Sequence, residues 1–122
     1  MKVLVIEDDV AVRETLGMVL EAFHHEPALV ENGEQALEYL KKHWPDALLL
    51  DLTLEETIGE QVYEQIRQEF GRLPPTIVLS AVQHGEVRAQ RMDGVLYLAK
   101  PYTIEDLADI LEEAVKKIPG AA

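Results

Sequence analysis

The chain contains no cysteine, which excludes disulfides and thiolate metal sites and fits a reducing compartment. No apolar run approaches the roughly 20 residues that a membrane helix needs. Met1 and Lys2 lead directly into an apolar stretch without the pattern of a signal peptide, so a soluble, cytoplasmic protein without a membrane partner is expected. Basic residues are scarce, 11 Lys and Arg against 23 Asp and Glu, for a formal net charge of -12. With no basic stripe to offset that charge, autonomous binding to nucleic acid is not expected. Acidity by itself most simply serves solubility and identifies no partner. A Gly-x-Gly-x-x-Gly turn is missing after the first apolar run, which argues against a dinucleotide. His24, His25, His43 and His84 lack paired ligand spacing, apart from one adjacent pair whose side chains should diverge.

What is present is a recurrence. Four short apolar runs each end at a polar residue: Val3 to Ile6 at Glu7 and Asp8, Ala47 to Leu50 at Asp51, Ile77 to Leu79 at Ser80, and Val95 to Ala99 at Lys100. Such runs, separated by helical stretches, read as parallel strands buried on both faces, and open α/β sheets bind ligands beyond the carboxyl ends of their strands. The acids, hydroxyl and lysine therefore belong to one rim, suited to a divalent cation and a phosphoryl group. At 122 residues and 48% hydrophobic content, the chain is expected to form one domain with a real core.

Between the runs, Asp9 can cap a helix with apolar positions Val12, Leu16, Val19, Leu20 and Phe23. Ala28 to Val30 suggest a second strand, and Asn32 can cap a helix whose buried face is marked by Leu37, Leu40 and Trp44. Thr57 and Glu60 have capping-box spacing before a helix presenting Val62, Ile66 and Phe70. Thr76 to Leu79 form the fourth strand, and the polar stretch Gly85 to Met92 is the weakest helical pattern. A last helix, entered through Thr103 and Asp106, is lined by Leu107, Leu111, Ala114, Val115 and Ile118. Five alternating βα units result, predicting a three-layer, doubly wound α/β sandwich with five parallel strands and five helices. Periodicity does not fix strand order, but the order 2-1-3-4-5 would bring Asp8 and Asp51 together.

Each rim residue has an ordinary alternative, as a cap, a turn hydroxyl or a snorkelling lysine. Their placement at equivalent ends of four strands favours the chemical reading. Glu7, Asp8 and Asp51 supply oxygen ligands for a hard cation that keeps several waters. Asp51, fixed at a strand end, can attack phosphorus and form an acyl phosphate if cationic groups stabilise the transferring oxygens. Ser80 can donate to a phosphoryl oxygen, and Lys100 can pair with Asp51 or with that oxygen.

The ordered set Val5-Ile6-Glu7-Asp8, Leu50-Asp51-Leu52 with Gly59 eight positions beyond Asp51, Ser80-Ala81, and Lys100-Pro101 with Tyr97 three residues earlier resembles the receiver domain of two-component response regulators. Asn32-Gly33 with Ala36-Leu37, and Pro45-Asp46, fit as well, so the resemblance covers essentially the whole chain. It implies the flavodoxin-like order 2-1-3-4-5 and phosphotransfer to Asp51 from a sensor histidine kinase or a histidine phosphotransfer protein. It further implies Mg²⁺, or Mn²⁺, held by Asp8, Asp51 and the Thr53 backbone carbonyl, with Glu7 acting through water. Ser80 and Lys100 would contact the phosphoryl group, Lys100-Pro101 would be cis, and Tyr97 would be the switch aromatic. Signalling would then pass to a downstream protein through the Gly85–Met92 helix, the fifth strand and the last helix, from a monomer or a phosphorylation-dependent homodimer.

Three departures from the family stand out. Glu55 replaces a usual proline, with Glu56 beside it; only 19 residues separate Ser80 from Lys100, with Asp93-Gly94 before the fifth strand, so the fourth helix should be short or shifted; and the sequence ends at Gly120-Ala121-Ala122 without an output domain. A stand-alone phosphoacceptor is therefore expected, taking part in its own phosphotransfer and dephosphorylation but turning over no external substrate. The alternative is a phosphorylation-independent interaction module with a vestigial site. An aspartate-nucleophile phosphatase is disfavoured because Thr53, not a second acid, stands two positions after Asp51.

Overall fold

The computed structural model describes residues 1–52, 58–80, 89, 92 and 94–117. Along the chain these form β1 (Lys2–Ile6), α1 (Val10–Ala22), β2 (Glu26–Val30), α2 (Gly33–Lys42), β3 (Ala47–Asp51), α3 (Ile58–Phe70), β4 (Thr76–Ser80), β5 (Val95–Ala99) and α4 (Ile104–Lys117). The strands make one parallel sheet in the order β2-β1-β3-β4-β5. The doubly wound flavodoxin-like order is thus the observed one. Four helices occur among the described residues, against the five expected. The Gly85–Met92 stretch lies outside the described residues except for Ala89 and Met92, both buried.

Alternation along the strands divides the interior into two cores. Val3, Val5, Ala47, Leu49, Ile77 and Leu79 face one side, where Leu16 and Leu20 of α1 and Leu107, Leu111 and Ala114 of α4 cover them. Leu4, Ile6, Leu48, Leu50 and Val78 face the other, against Ala36 and Leu40 of α2 and Val62, Tyr63 and Ile66 of α3. Because both faces are covered, the central strands read as continuous apolar runs.

The helix starts follow their capping chemistry. Asp9 Oδ1 accepts from the Val12 amide at 3.0 Å, and Asn32 Oδ1 accepts from the Gln35 amide at 2.9 Å. Thr103 and Asp106 form a reciprocal pair, each side chain accepting from the other's amide, at 3.0 and 3.1 Å. Thr57 lies outside the described residues, so its capping box is not described.

Four positions depart from the expected pattern. Phe23 is the C-cap of α1 and is 38% exposed, since the helix ends before its ring can join the stripe. Trp44 lies beyond α2. The following Pro45 disfavours helical backbone there, and the indole packs edge-on against Phe70, with ring centroids 5.7 Å apart. Val115, at the margin of the α4 stripe, is exposed, whereas Ala114 beside it is buried. Tyr63, absent from the expected stripe of α3, is among its buried side chains.

Candidate functional site

Glu7 and Asp51 continue the face of Val5 and Leu49, two residues further along neighbouring strands. Pairing of Ile6 with Leu50 brings them level at the rim. Asp51 is the last residue of β3 and its side chain is 2% exposed. Lys100 follows β5, two strands away, a separation of roughly 10 Å at the usual spacing that requires a long side chain. It spans that distance: Nζ lies 2.6 Å from Asp51 Oδ2, with the lysine side chain 18% exposed. Its backbone is fixed too, because the Lys100 amide donates to the Ser80 carbonyl at 2.8 Å. The Lys100-Pro101 peptide is cis, as the family resemblance implies.

Glu7 is 2% exposed. Its amide donates to the Val30 carbonyl at 3.1 Å, and its Oε1 accepts from the Asp9 amide at 3.0 Å. Burial, reinforced by the hydrogen-bonding proximity of Asp51, pushes the Glu7 carboxyl up to about 8, and Asp8 adds a smaller push in the same direction. Glu7 therefore senses both neighbouring acids. Glu7 Oε2 and Asp51 Oδ1 are buried without a hydrogen-bond partner, and such oxygens are costly to leave unsatisfied.

These oxygens fit a hard divalent cation. The donors are carboxylate oxygens only, two of them are buried and unsatisfied, and Asp8 stands exposed beside them, where a partly hydrated ion can be reached. Among the described residues, no three His, Cys, Asp or Glu side chains are already gathered around one point. The remaining ligand expected from the sequence, the Thr53 carbonyl, lies outside the described residues, as do Glu55 and Glu56.

Ser80 is buried at the end of β4. By strand alternation it shares the face of Val78, the residue paired with Tyr97. Tyr97 is half-buried against the core beneath α2 and α3, on the opposite side of the sheet from Glu7 and Asp51. The structure thus pairs Asp51 with Lys100, sets Glu7 level with Asp51 on the neighbouring strand with Asp8 next to it, and places Ser80 on the adjoining strand, with Tyr97 behind.

Two residues near the site escaped the sequence reading. Tyr102 is half-buried against the core beneath α1 and α4; burial raises its phenol above the usual value, and the charges of Asp51 and Glu7 add to the shift. Arg13 donates from Nη1 to the carbonyl of Glu7 at 2.8 Å and of Asp8 at 3.4 Å. Its position one turn into a helix that starts beside the acids was the available signal, since helical side chains lean toward the N-terminus.

A parallel α/β sheet with buried carboxylates and a lysine converging at its carboxyl rim defines a flavodoxin-like receiver-type domain. The sequence matches the response regulator receiver domain over residues 3–112, and the chain belongs to that family. Receiver domains are signalling domains of two-component systems. Among curated relatives, response regulator MprA of Mycobacterium avium is 35% identical over 109 residues, covering 88% of this chain and 47% of MprA. The phosphate regulon transcriptional regulatory protein PhoB of Escherichia coli is 28% identical over 124 residues, 99% of this chain and 54% of PhoB. The chain thus spans about half the length of these relatives. Among solved structures, the receiver domain of sensor histidine kinase PA1611 from Pseudomonas aeruginosa superposes with a TM-score of 0.80 at 26% identity, covering 94% of this chain and 97% of that one. That structure has a magnesium ion coordinated in its active-site cleft. No helix among the described residues is long and apolar enough to cross a membrane.

Proposed function

We propose that this domain accepts a phosphoryl group on Asp51 and signals through the resulting change of surface. The observation that carries the reading is the pairing of a buried Asp51 carboxylate with Lys100 at 2.6 Å, while Asp51 Oδ1 and Glu7 Oε2 remain without partners. A phosphohistidine on a sensor kinase or phosphotransfer protein is the donor. Asp51 Oδ1 attacks phosphorus, the P–N bond breaks as the P–O bond forms, and the imidazole leaves, taking up a proton. Lys100 balances negative charge on the incoming group, and Ser80 donates its hydroxyl to one phosphoryl oxygen. Asp8, Asp51 and the Thr53 carbonyl would hold Mg²⁺ or Mn²⁺, with Glu7 reaching it through water. Bound there, the cation would neutralise phosphoryl oxygens.

The chemistry is self-modification and its reversal, without turnover of an outside substrate, and takes place in the cytoplasm. New contacts to Ser80 bias Tyr97 and the β5–α4 surface toward one arrangement, which a downstream protein reads. The test is incubation with acetyl phosphate and Mg²⁺, followed by intact-mass measurement. One phosphoryl group is expected on the wild type and none on Asp51→Asn or with chelator present. Equal labelling of Asp51→Asn would refute the assignment. An unlabelled, folded wild type would favour a phosphorylation-independent interaction module.

A further inference from the structure

We infer that Arg13 is a positioning residue for the cation site: its guanidinium clamps the backbone of the acidic loop so that Glu7 and Asp8 are held in ligating register. The inference rests on the functional reading above. Loop 7–9 is fixed on several sides. Glu7 Oε1 accepts from the Asp9 amide, the Asp9 carboxylate caps α1, and the Asp9 carbonyl accepts from the Arg13 amide at 2.9 Å. None of these bonds involves the carbonyl of Glu7 or of Asp8. Both turn to Arg13 Nη1, at 2.8 and 3.4 Å. Two successive carbonyls aimed at one donor fix the peptide planes on either side of Asp8, and with them the direction in which its side chain leaves the chain.

Arg13 makes no ion pair with a carboxylate among the described residues. It therefore leaves Glu7 Oε2 and Asp51 Oδ1 available, unlike a basic residue lying in the cleft. A rigid planar donor suits this task, whereas an ammonium on a flexible stem could serve one carbonyl but would not define the angle between two. Outer partners of metal ligands commonly matter by about 10–100-fold in affinity.

The clamp and a simple charge effect predict opposite signs. Removing a positive charge near a cation site tightens binding, whereas removing the clamp weakens it. Isothermal titration with Mg²⁺ at fixed ionic strength would compare wild type, Arg13→Gln, Arg13→Lys and Arg72→Gln. The last removes the same charge at Arg72, whose guanidinium lies over Trp44 at the opposite end of the sheet. The clamp requires about tenfold weaker binding for Arg13→Gln, an intermediate loss for Arg13→Lys, and little change for Arg72→Gln. Circular dichroism should remain that of the wild type. In acetyl phosphate labelling, the half-saturating Mg²⁺ concentration should rise while the rate at saturating Mg²⁺ is retained. Unchanged or tighter binding in Arg13→Gln would overturn the clamp, as would a rate loss that Mg²⁺ does not restore. If Arg13→Gln does not fold, Arg13→Lys decides, because the charge account gives it wild-type affinity. A wild type that takes up no Mg²⁺ would instead overturn the functional reading itself.

Discussion

The two faces of the sheet differ in what packs them and in what they carry. Beneath α1 and α4 the core is almost wholly aliphatic, Tyr102 being the one aromatic among the described residues of that cluster. The same face ends at the rim in Glu7 and Asp51. Beneath α2 and α3 lie Tyr39, Trp44, Tyr63, Phe70 and Tyr97, and that face ends in Ser80. Dense aliphatic packing on central strands holds fixed charges at fixed separations. The aromatic face instead carries Tyr97, half-buried on the edge strand β5. One sheet thus carries buried acids on one face and aromatic packing on the other.

The largest effect should come from breaking the charged face. Lys100→Met leaves Asp51 buried beside Glu7 without its cation, and a loss of about 3–5 kcal/mol in denaturant-derived stability is expected. Saturating Mg²⁺ should recover part of it. Labelling by acetyl phosphate should fall on the order of 100-fold, as when one charge-stabilising donor is removed. Equal stability of mutant and wild type without Mg²⁺ would mean that the 2.6 Å pair is not sustained in solution.

Next comes a change that links the faces. A Cβ at Gly59 would collide with the side chain of Leu52, which is buried against the aromatic core and adjoins Asp51. Gly59→Ala is therefore expected to lose about 1–3 kcal/mol by overpacking. Because Leu52 must shift, labelling of Asp51 should slow as well. Gly71→Ala, with open space around its Cβ but a φ of +70°, separates backbone strain from collision, and it should spare labelling.

Smaller again is a pH effect confined to the charged face. Folding raises the Glu7 carboxyl from its ordinary 4.5 to about 8, so in that window the folded protein keeps a proton that the unfolded chain has released. The associated stability is fully present below about 4.5, declines as pH rises, and is gone above about 8. Thermal melting without divalent cations should show this decline, and Glu7→Gln should flatten it, with a gain of about 1–2 kcal/mol at the alkaline end. The smallest change is expected on the aromatic face. Tyr97→Phe keeps the ring and should alter stability by no more than about 0.5 kcal/mol, with Mg²⁺ affinity unchanged. A tenfold change in that affinity would dissolve the distinction between the faces.

Much of this arrangement was legible in the sequence because strand ends and caps are local. The four polar stops, the Asp9 and Asn32 caps and the Thr103–Asp106 pair all follow from short-range chemistry. Which core residue faced which helix was not legible, since Leu48, Leu49 and Leu50 are apolar on both faces and conceal the twofold alternation. Spacing from Leu37 and Leu40 continues through Trp44 and so predicts helix there, although the helix is capped by an extended His43 just ahead of Pro45. Arg13 was missed for a different reason: its partners are carbonyl oxygens, which every residue has, so no side-chain pattern marks them.

The lone tryptophan has a practical consequence. Trp44 lies before β3, with Phe70 against its ring and Arg72 4.1 Å from its centroid, whereas Asp51 closes that strand at its far end, the strand itself spanning about 13 Å. The chain's only indole fluorophore is therefore tuned to the integrity of the aromatic core and insulated from occupancy of the cleft. Its emission should follow unfolding closely while staying quiet during a cation titration, so a spectroscopist would need a second fluorophore to watch this domain being loaded.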